Sequence, residues 1–135
     1  MRLLTAVACL VLLLPLPARA LTQFDFEQPF FSEGAGPVMD HCVVEQDGLY
    51  HLFYLRGNPA VNIGHATTTD FVHWQLQPPV VPAGDWDTRV WAPHLVRGSE
   101  AWFMYYTGVN AAAAQQTGLA FSTDLTQWVK FGPPV

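Results

Sequence analysis

An all-β fold is expected for this chain, as two four-stranded antiparallel blades of a β-propeller, and three observations predict it. The first is a stretch that occurs twice. Tyr50-His51-Leu52-Phe53-Tyr54-Leu55-Arg56-Gly57, followed by Gly64-His65-Ala66-Thr67-Thr68-Thr69-Asp70-Phe71-Val72-His73-Trp74, recurs as Ala101-Trp102-Phe103-Met104-Tyr105-Tyr106-Thr107-Gly108, followed by Gly118 to Trp128. Gly57 and Gly108 are 51 residues apart, while Gly64 and Gly118, Asp70 and Asp124, and Trp74 and Trp128 are each 54 apart. A period near fifty residues built from short aromatic segments is the pattern of propeller blades. The second observation is punctuation: the apolar segments are short, and turn residues such as Asp47-Gly48 separate them. The third is the lack of a sustained helical period after residue 20. Ala111 to Ala114 favour helix, but four alanines cannot nucleate one alone.

In chain order, residues 1–20 read as a secretory signal peptide. Arg2 precedes an apolar run from Leu3 to Leu14, and Pro15, Pro17 and Ala18-Arg19-Ala20 end it, with cleavage expected after Ala20. The run is too short to span a bilayer. Residues 21–37 are an irregular lead-in whose Phe24, Phe26, Phe30 and Phe31 are expected to pack on the first blade. Blade 1 covers residues 38–81, with strands over Val38–Val44, Leu49–Leu55, Val61–Thr68 and Trp74–Gln77. A polar crossover covers 82–90. Blade 2 covers 91–135, with strands over Trp91–Val96, Ala101–Thr107, Gln116–Ser122 and Trp128–Phe131. Two blades leave apolar faces open, so either further C-terminal blades or self-association is expected to cover them.

Charge and cysteine content remove several function classes. Without residues 1–20 the chain has four basic and eleven acidic residues, a formal charge of −7, which repels phosphate backbones and anionic lipid surfaces. No nucleic-acid partner is expected, and no membrane partner after signal cleavage. Cys9 leaves with the signal, so Cys42 stands alone and reads as a small buried side chain. The five histidines include no pair at zinc-ligand spacing with a third partner. Neither a metal nor another cofactor is expected. There is no phosphate loop and no serine nucleophile elbow.

The repeat serves as an internal control for the remaining chemistry. Asp70 and Asp124 match, each four residues before a tryptophan, and read as turn-capping scaffold. Asp40 has no counterpart. Aligned at a spacing of 52, Asp40-His41-Cys42 faces Ala92-Pro93-His94, so one blade opens with a carboxylate where the other has a methyl group. The innermost strands of a propeller line its axis, and a carboxylate there binds something or performs acid–base or nucleophilic work. A turn-capping role is the alternative.

Asp40 to Trp74 resembles the first blade of the five-bladed β-propeller glycoside hydrolases of families 43 and 32, which include arabinanases, xylosidases, invertases and levanases. Trp91-Ala92-Pro93 resembles the start of the second blade in family 43, whereas Gly64-His65-Ala66 and Val72-His73-Trp74 lean towards family 32. The resemblance implies that Asp40 is the nucleophile of a retaining enzyme or the base of an inverting one, although His41 stands where the family usually has proline. It also implies an oligo- or polysaccharide substrate, of furanoside or plant type. Asp87 and Arg89 would contact sugar or order the mouth, and Trp86 and Trp91, with His94 more weakly, would offer faces for sugar stacking. Glycoside cleavage needs a second carboxyl group roughly 5 to 9 Å from the first, and in these families it comes from a later blade, past Val135. The 135 residues alone are therefore expected to be inactive. A carbohydrate-binding propeller without catalysis and a structural or interaction propeller are the competing readings.

Overall fold

The computed structural model describes residues 31–34, 38–84, 86–132 and 134. Eight strands form in chain order: β1 (Val38–Gln46), β2 (Leu49–Arg56), β3 (Ile63–Thr68), β4 (Gln75–Val80), β5 (Arg89–Arg97), β6 (Trp102–Val109), β7 (Gln115–Ser122) and β8 (Val129–Lys130). They make two four-stranded antiparallel sheets, β1-β2-β3-β4 and β5-β6-β7-β8, each a simple meander. This is the expected pair of blades. The signal segment, Phe24, Phe26, Phe30 and Asp85 lie outside the described residues.

Strand ends differ from the sequence reading in two informative places. β4 runs on to Val80 through Pro78 and Pro79, where the sequence suggested a stop at Gln77. Prolines are tolerated because β4 is an outer edge strand, and the ladder with β3 slips between Ile63 and His65 to admit them. β5 begins at Arg89, so Arg89 and Val90 are already strand rather than crossover. The Val90 N–H donates to the Ala60 carbonyl (2.9 Å) and the Thr88 N–H to the Val109 carbonyl (2.7 Å), so β5 starts against both blades.

The recurring glycines have a steric cause. Gly64 lies opposite Tyr54 on β2, and Gly118 lies opposite Tyr106 on β6. In each blade the tyrosine ring covers the glycine, and a Cβ added there would run into the ring. The two aspartate turns also repeat in detail. Asp70 Oδ1 accepts from the Val72 and His73 N–H groups (both 2.8 Å), and Asp124 Oδ1 accepts from those of Thr126 (2.8 Å) and Gln127 (2.7 Å). Phe71 and Leu125 each take a left-handed φ inside these turns, at 60° and 65°. Both carboxyls are held below the usual range, Asp70 chiefly by its bond to the His73 ring and Asp124, at about 2, chiefly by the Gln127 N–H.

The seam between the blades holds the main core. Phe53, Ile63, Val80 and Val81 of blade 1 pack with Val90, Leu95, Trp102, Met104, Tyr106, Ala120 and Leu125. Trp128 and Phe53 meet in a T-shaped pair at 5.7 Å between ring centroids. Cys42 is a half-buried free thiol at this seam, and its Sγ accepts from the Leu95 N–H at 3.4 Å. At the far end of β1, Gln46 Oε1 accepts from Trp102 Nε1 (2.7 Å) and from Arg97 (3.3 Å).

The other face of blade 1 carries Leu52, Tyr54 and Ala66, covered by Phe31, Val38 and Trp74. Phe31 of the lead-in packs on Tyr54 at 5.1 Å and on Trp74 at 5.2 Å, as expected of that segment. Blade 2's outer face has no such cover among the described residues. Val96, Tyr105, Val129 and Phe131 are exposed there.

Candidate functional site

Asp40 occupies a β-bulge. The β1–β2 ladder slips between Met39 and Cys42, and Asp40 has φ 47°. The β5–β6 ladder slips at the matching place, between Trp91 and His94, and Ala92 has φ 49°. A left-handed conformation is unfavourable for any residue with a Cβ, by about 1–2 kcal/mol, so both blades store strain at the head of their inner strand. Bulges of this kind aim a side chain out of the ladder. In blade 1 the aimed side chain is an exposed carboxylate, and in blade 2 a methyl group. Asp40 makes no side-chain hydrogen bond or ion pair with another described residue, so it caps no turn among them.

β5 packs beside β1 across the seam and carries the other inner-strand candidates. Arg89 and Trp91 are half-buried and meet each other, the guanidinium carbon lying 5.2 Å from the indole centroid. Both project from the face of β5 opposite the buried Val90, which places a cation and an aromatic ring together immediately before the bulge. His94 is exposed and pairs with Tyr105, on the opposite side of β5 from the seam residue Leu95.

Asp87 and Trp86 are drawn inward. The Asp87 side chain is fully buried, with Lys130 Nζ on both oxygens (2.6 and 2.8 Å). Tyr106 Oη donates to it at 3.0 Å and the Gly84 N–H at 2.9 Å. Burial and then the Asp87 charge push the Tyr106 hydroxyl well above its usual range. These donors engage the Asp87 carboxylate and tie the segment around Gly84 and Asp87 to β6 and β8. Trp86 is half-buried, lies against Gly108 where no Cβ would fit, and stacks with Tyr106 at 6.2 Å. Its indole N–H is buried without a partner. Sequence reasoning missed Tyr106 and Lys130 as partners of Asp87. Lys130 is the only lysine in the chain, and a buried aspartate needs a cation.

No group of three or more His, Cys, Asp or Glu among the described residues could hold a metal ion. The described residues thus offer a strained, free carboxylate on β1 and a cation–aromatic pair on β5, a strand packed against β1, while the Asp87–Lys130 ion pair is buried. The sequence model of the glycosyl hydrolases family 32 N-terminal domain matches residues 41–135. The chain belongs to glycosyl hydrolase family 32.

Relatives in family 32 agree with that placement. The chain is 34% identical to acid beta-fructofuranosidase 4, vacuolar, of Arabidopsis thaliana, over 87% of this chain and 19% of that protein. The crystal structure of fructan 1-exohydrolase IIa from Cichorium intybus superposes with a TM-score of 0.64 at 25% identity, over 75% of this chain and 22% of that one. A family 43 β-xylosidase/α-arabinofuranosidase from a compost microbial metagenome shares the fold, with a TM-score of 0.68 at 12% identity, over 80% of this chain and 38% of that one. The chain spans about a fifth of the length of the curated relatives it matches. The sequence reading left families 43 and 32 both open; the match to family 32 decides between them, while the fold is common to both. The matched region starts at His41, one residue after Asp40.

Proposed function

We propose that this chain forms the first two blades of a five-bladed, exported family 32 hydrolase that cleaves furanosides, fructofuranosyl bonds foremost. Asp40 is the nucleophile or general base. Arg89 and Trp91 line the sugar site, Trp86 and Asp87 hold its mouth in shape, and His94 is the weakest candidate contact. The observation that carries this reading is the twin bulge: the same strained backbone recurs in both blades, and only at Asp40 does it present a free carboxylate. Backbone strain clusters at functional sites, and the free carboxylate is what separates Asp40 from the equally strained Ala92. The fructofuranosyl preference rests on relatives named as fructofuranosidases and a fructan exohydrolase.

Cleavage requires a partner acid roughly 5 to 9 Å away, and Asp87 is unsuited because its carboxylate is committed to Lys130 and Tyr106. That acid is assigned to further blades of the kind the longer relatives have room for, and the 135 residues alone are expected not to turn over. Residues 1–20 are assigned to export, placing the protein in the periplasm or outside the cell. The test has two parts. The purified 135-residue chain is assayed on aryl furanosides and sucrose, where robust turnover would overturn the need for a further acid. The gene product extended by three more repeats is then compared with its Asp40→Asn form. Loss of turnover with sugar binding retained supports the enzyme; binding without turnover in both forms supports a non-catalytic carbohydrate-binding propeller, a reading that His41 in the usual proline position also favours.

A further inference from the structure

Two histidines are buried where blade 1 meets blade 2. His51 on β2 is 6% exposed and His65 on β3 is 2% exposed. His51 Nδ1 and His65 Nε2 lie 3.0 Å apart, and His65 stacks on Phe53 at 4.5 Å with the rings 9° from parallel. Phe53 in turn meets Trp128 of blade 2 in a T-shaped pair. A hydrogen bond between imidazoles needs one N–H and one lone pair. If both rings were protonated, two N–H groups would point at each other across that gap.

No acid among the described residues is bonded to either ring. On β1, Cys42 accepts from Leu95, and Glu45 accepts from the Gly48 N–H. Tyr50 on β2 packs against Phe71. The residue of β4 paired with His65 is the uncharged Gln77, bonded to Thr67. From blade 2, Arg97 on β5 is engaged by Gln46 and the Trp102 ring, Tyr106 on β6 by Asp87, and Lys130 on β8 by Asp87 and the Pro82 carbonyl. Asp124, in the turn before Trp128, is held by Thr126 and Gln127.

The repeat provides the control. Aligned on their tyrosine and glycine, His51 and His65 correspond to Phe103 and Leu119 in blade 2. The same strands therefore form without imidazoles at these places, and the scaffold does not require them.

We propose that the His51–His65 pair makes the seam an acid-sensitive joint, in which protonation forces charged rings out of the interface and loosens β1 and β2 from β5. Burial holds both rings below the usual histidine range, and the His51 charge adds to the effect on His65, which lies at about 4. An imidazole released to water titrates near 6.5. Between those values the opened form binds more protons, so the packed seam loses stability as pH falls from about 6.5 to about 4 and is unaffected by this pair above that window.

The test is urea unfolding of the 135-residue chain at pH 7.5 and 4.5, followed by tryptophan fluorescence, since Trp102 and Trp128 report on the seam. The folding constant of the native sequence is expected to drop on the order of a hundredfold between the two pH values. The double variant His51→Phe, His65→Leu, which carries blade 2's own residues, is expected to be nearly flat. An equal drop in the variant overturns the proposal. Should the variant not fold, side-chain NMR of the native chain decides: a His65 titration midpoint near 4 supports the joint, and one near 6.5 overturns it.

Discussion

Blade 1 and blade 2 solve one problem with unequal means. In each, the tyrosine that covers a cross-strand glycine turns towards an acid contributed by the segment just before the blade. Tyr54 is influenced by Glu33 of the lead-in, which is paired with Arg56 at 2.7 Å. Tyr106 donates to Asp87 of the crossover, which is paired with Lys130. The blade 1 pair is partly open to solvent, with side chains 43% and 18% exposed, whereas Asp87 is fully enclosed. The lead-in thus does for blade 1 what blade 1 and the crossover do for blade 2, with much less burial. The same chemistry carries different energetic weight according to how far water is excluded.

The sharpest test of that contrast is to remove the cation from each pair. Lys130→Met leaves the Asp87 carboxylate buried without a counter-charge, and urea denaturation is expected to show a loss of about 3–5 kcal/mol. Arg56→Met leaves Glu33 near solvent, where the loss is expected to be at most about 1 kcal/mol. Equal losses would break the comparison.

Next in size is the aromatic packing on the two faces of blade 1. Phe53→Ala empties a fully buried site at the seam and should cost about 3–4 kcal/mol in chemical denaturation. Phe31→Ala, on the half-buried lead-in, should cost clearly less. The twin bulges come third. Glycine relieves a left-handed φ, so Ala92→Gly and Asp40→Gly are each expected to be neutral or to stabilise by up to about 1 kcal/mol in thermal unfolding. Only the Asp40 change should abolish turnover in the extended protein.

The smallest effect is the acid limb of the two aspartate turns. Both carboxyls titrate below their unfolded value, Asp124 near 2 and Asp70 chiefly through His73. Their contribution is present above about pH 4 and is lost as pH falls through the folded values. Asp124→Asn should flatten a small part of the stability profile between pH 4 and 2.

Much of the fold is legible in the repeat. Strand order and the aspartate turns follow from residue types that recur at fixed offsets, whereas the cover of blade 1 by Phe31 was expected only from the run of phenylalanines in the lead-in. Asp40 stands out for the same reason, as the position where the repeat breaks. The roles of the mouth residues were far less legible. Trp86 and Asp87 sit in a polar stretch and look exposed in sequence, yet both turn inward. Asp87 is bonded to Lys130, 43 residues away, and Trp86 lies over Gly108.

The sequence by itself determined the two blades, because short aromatic segments, turn residues and the aspartate–tryptophan spacing are local and were written twice. Tertiary structure alone decided which polar groups are sealed and which remain free. Burial depends on what arrives from elsewhere in the chain: Lys130 closes over Asp87, His65 of β3 stacks against Phe53 of β2, and Asp40 stays exposed.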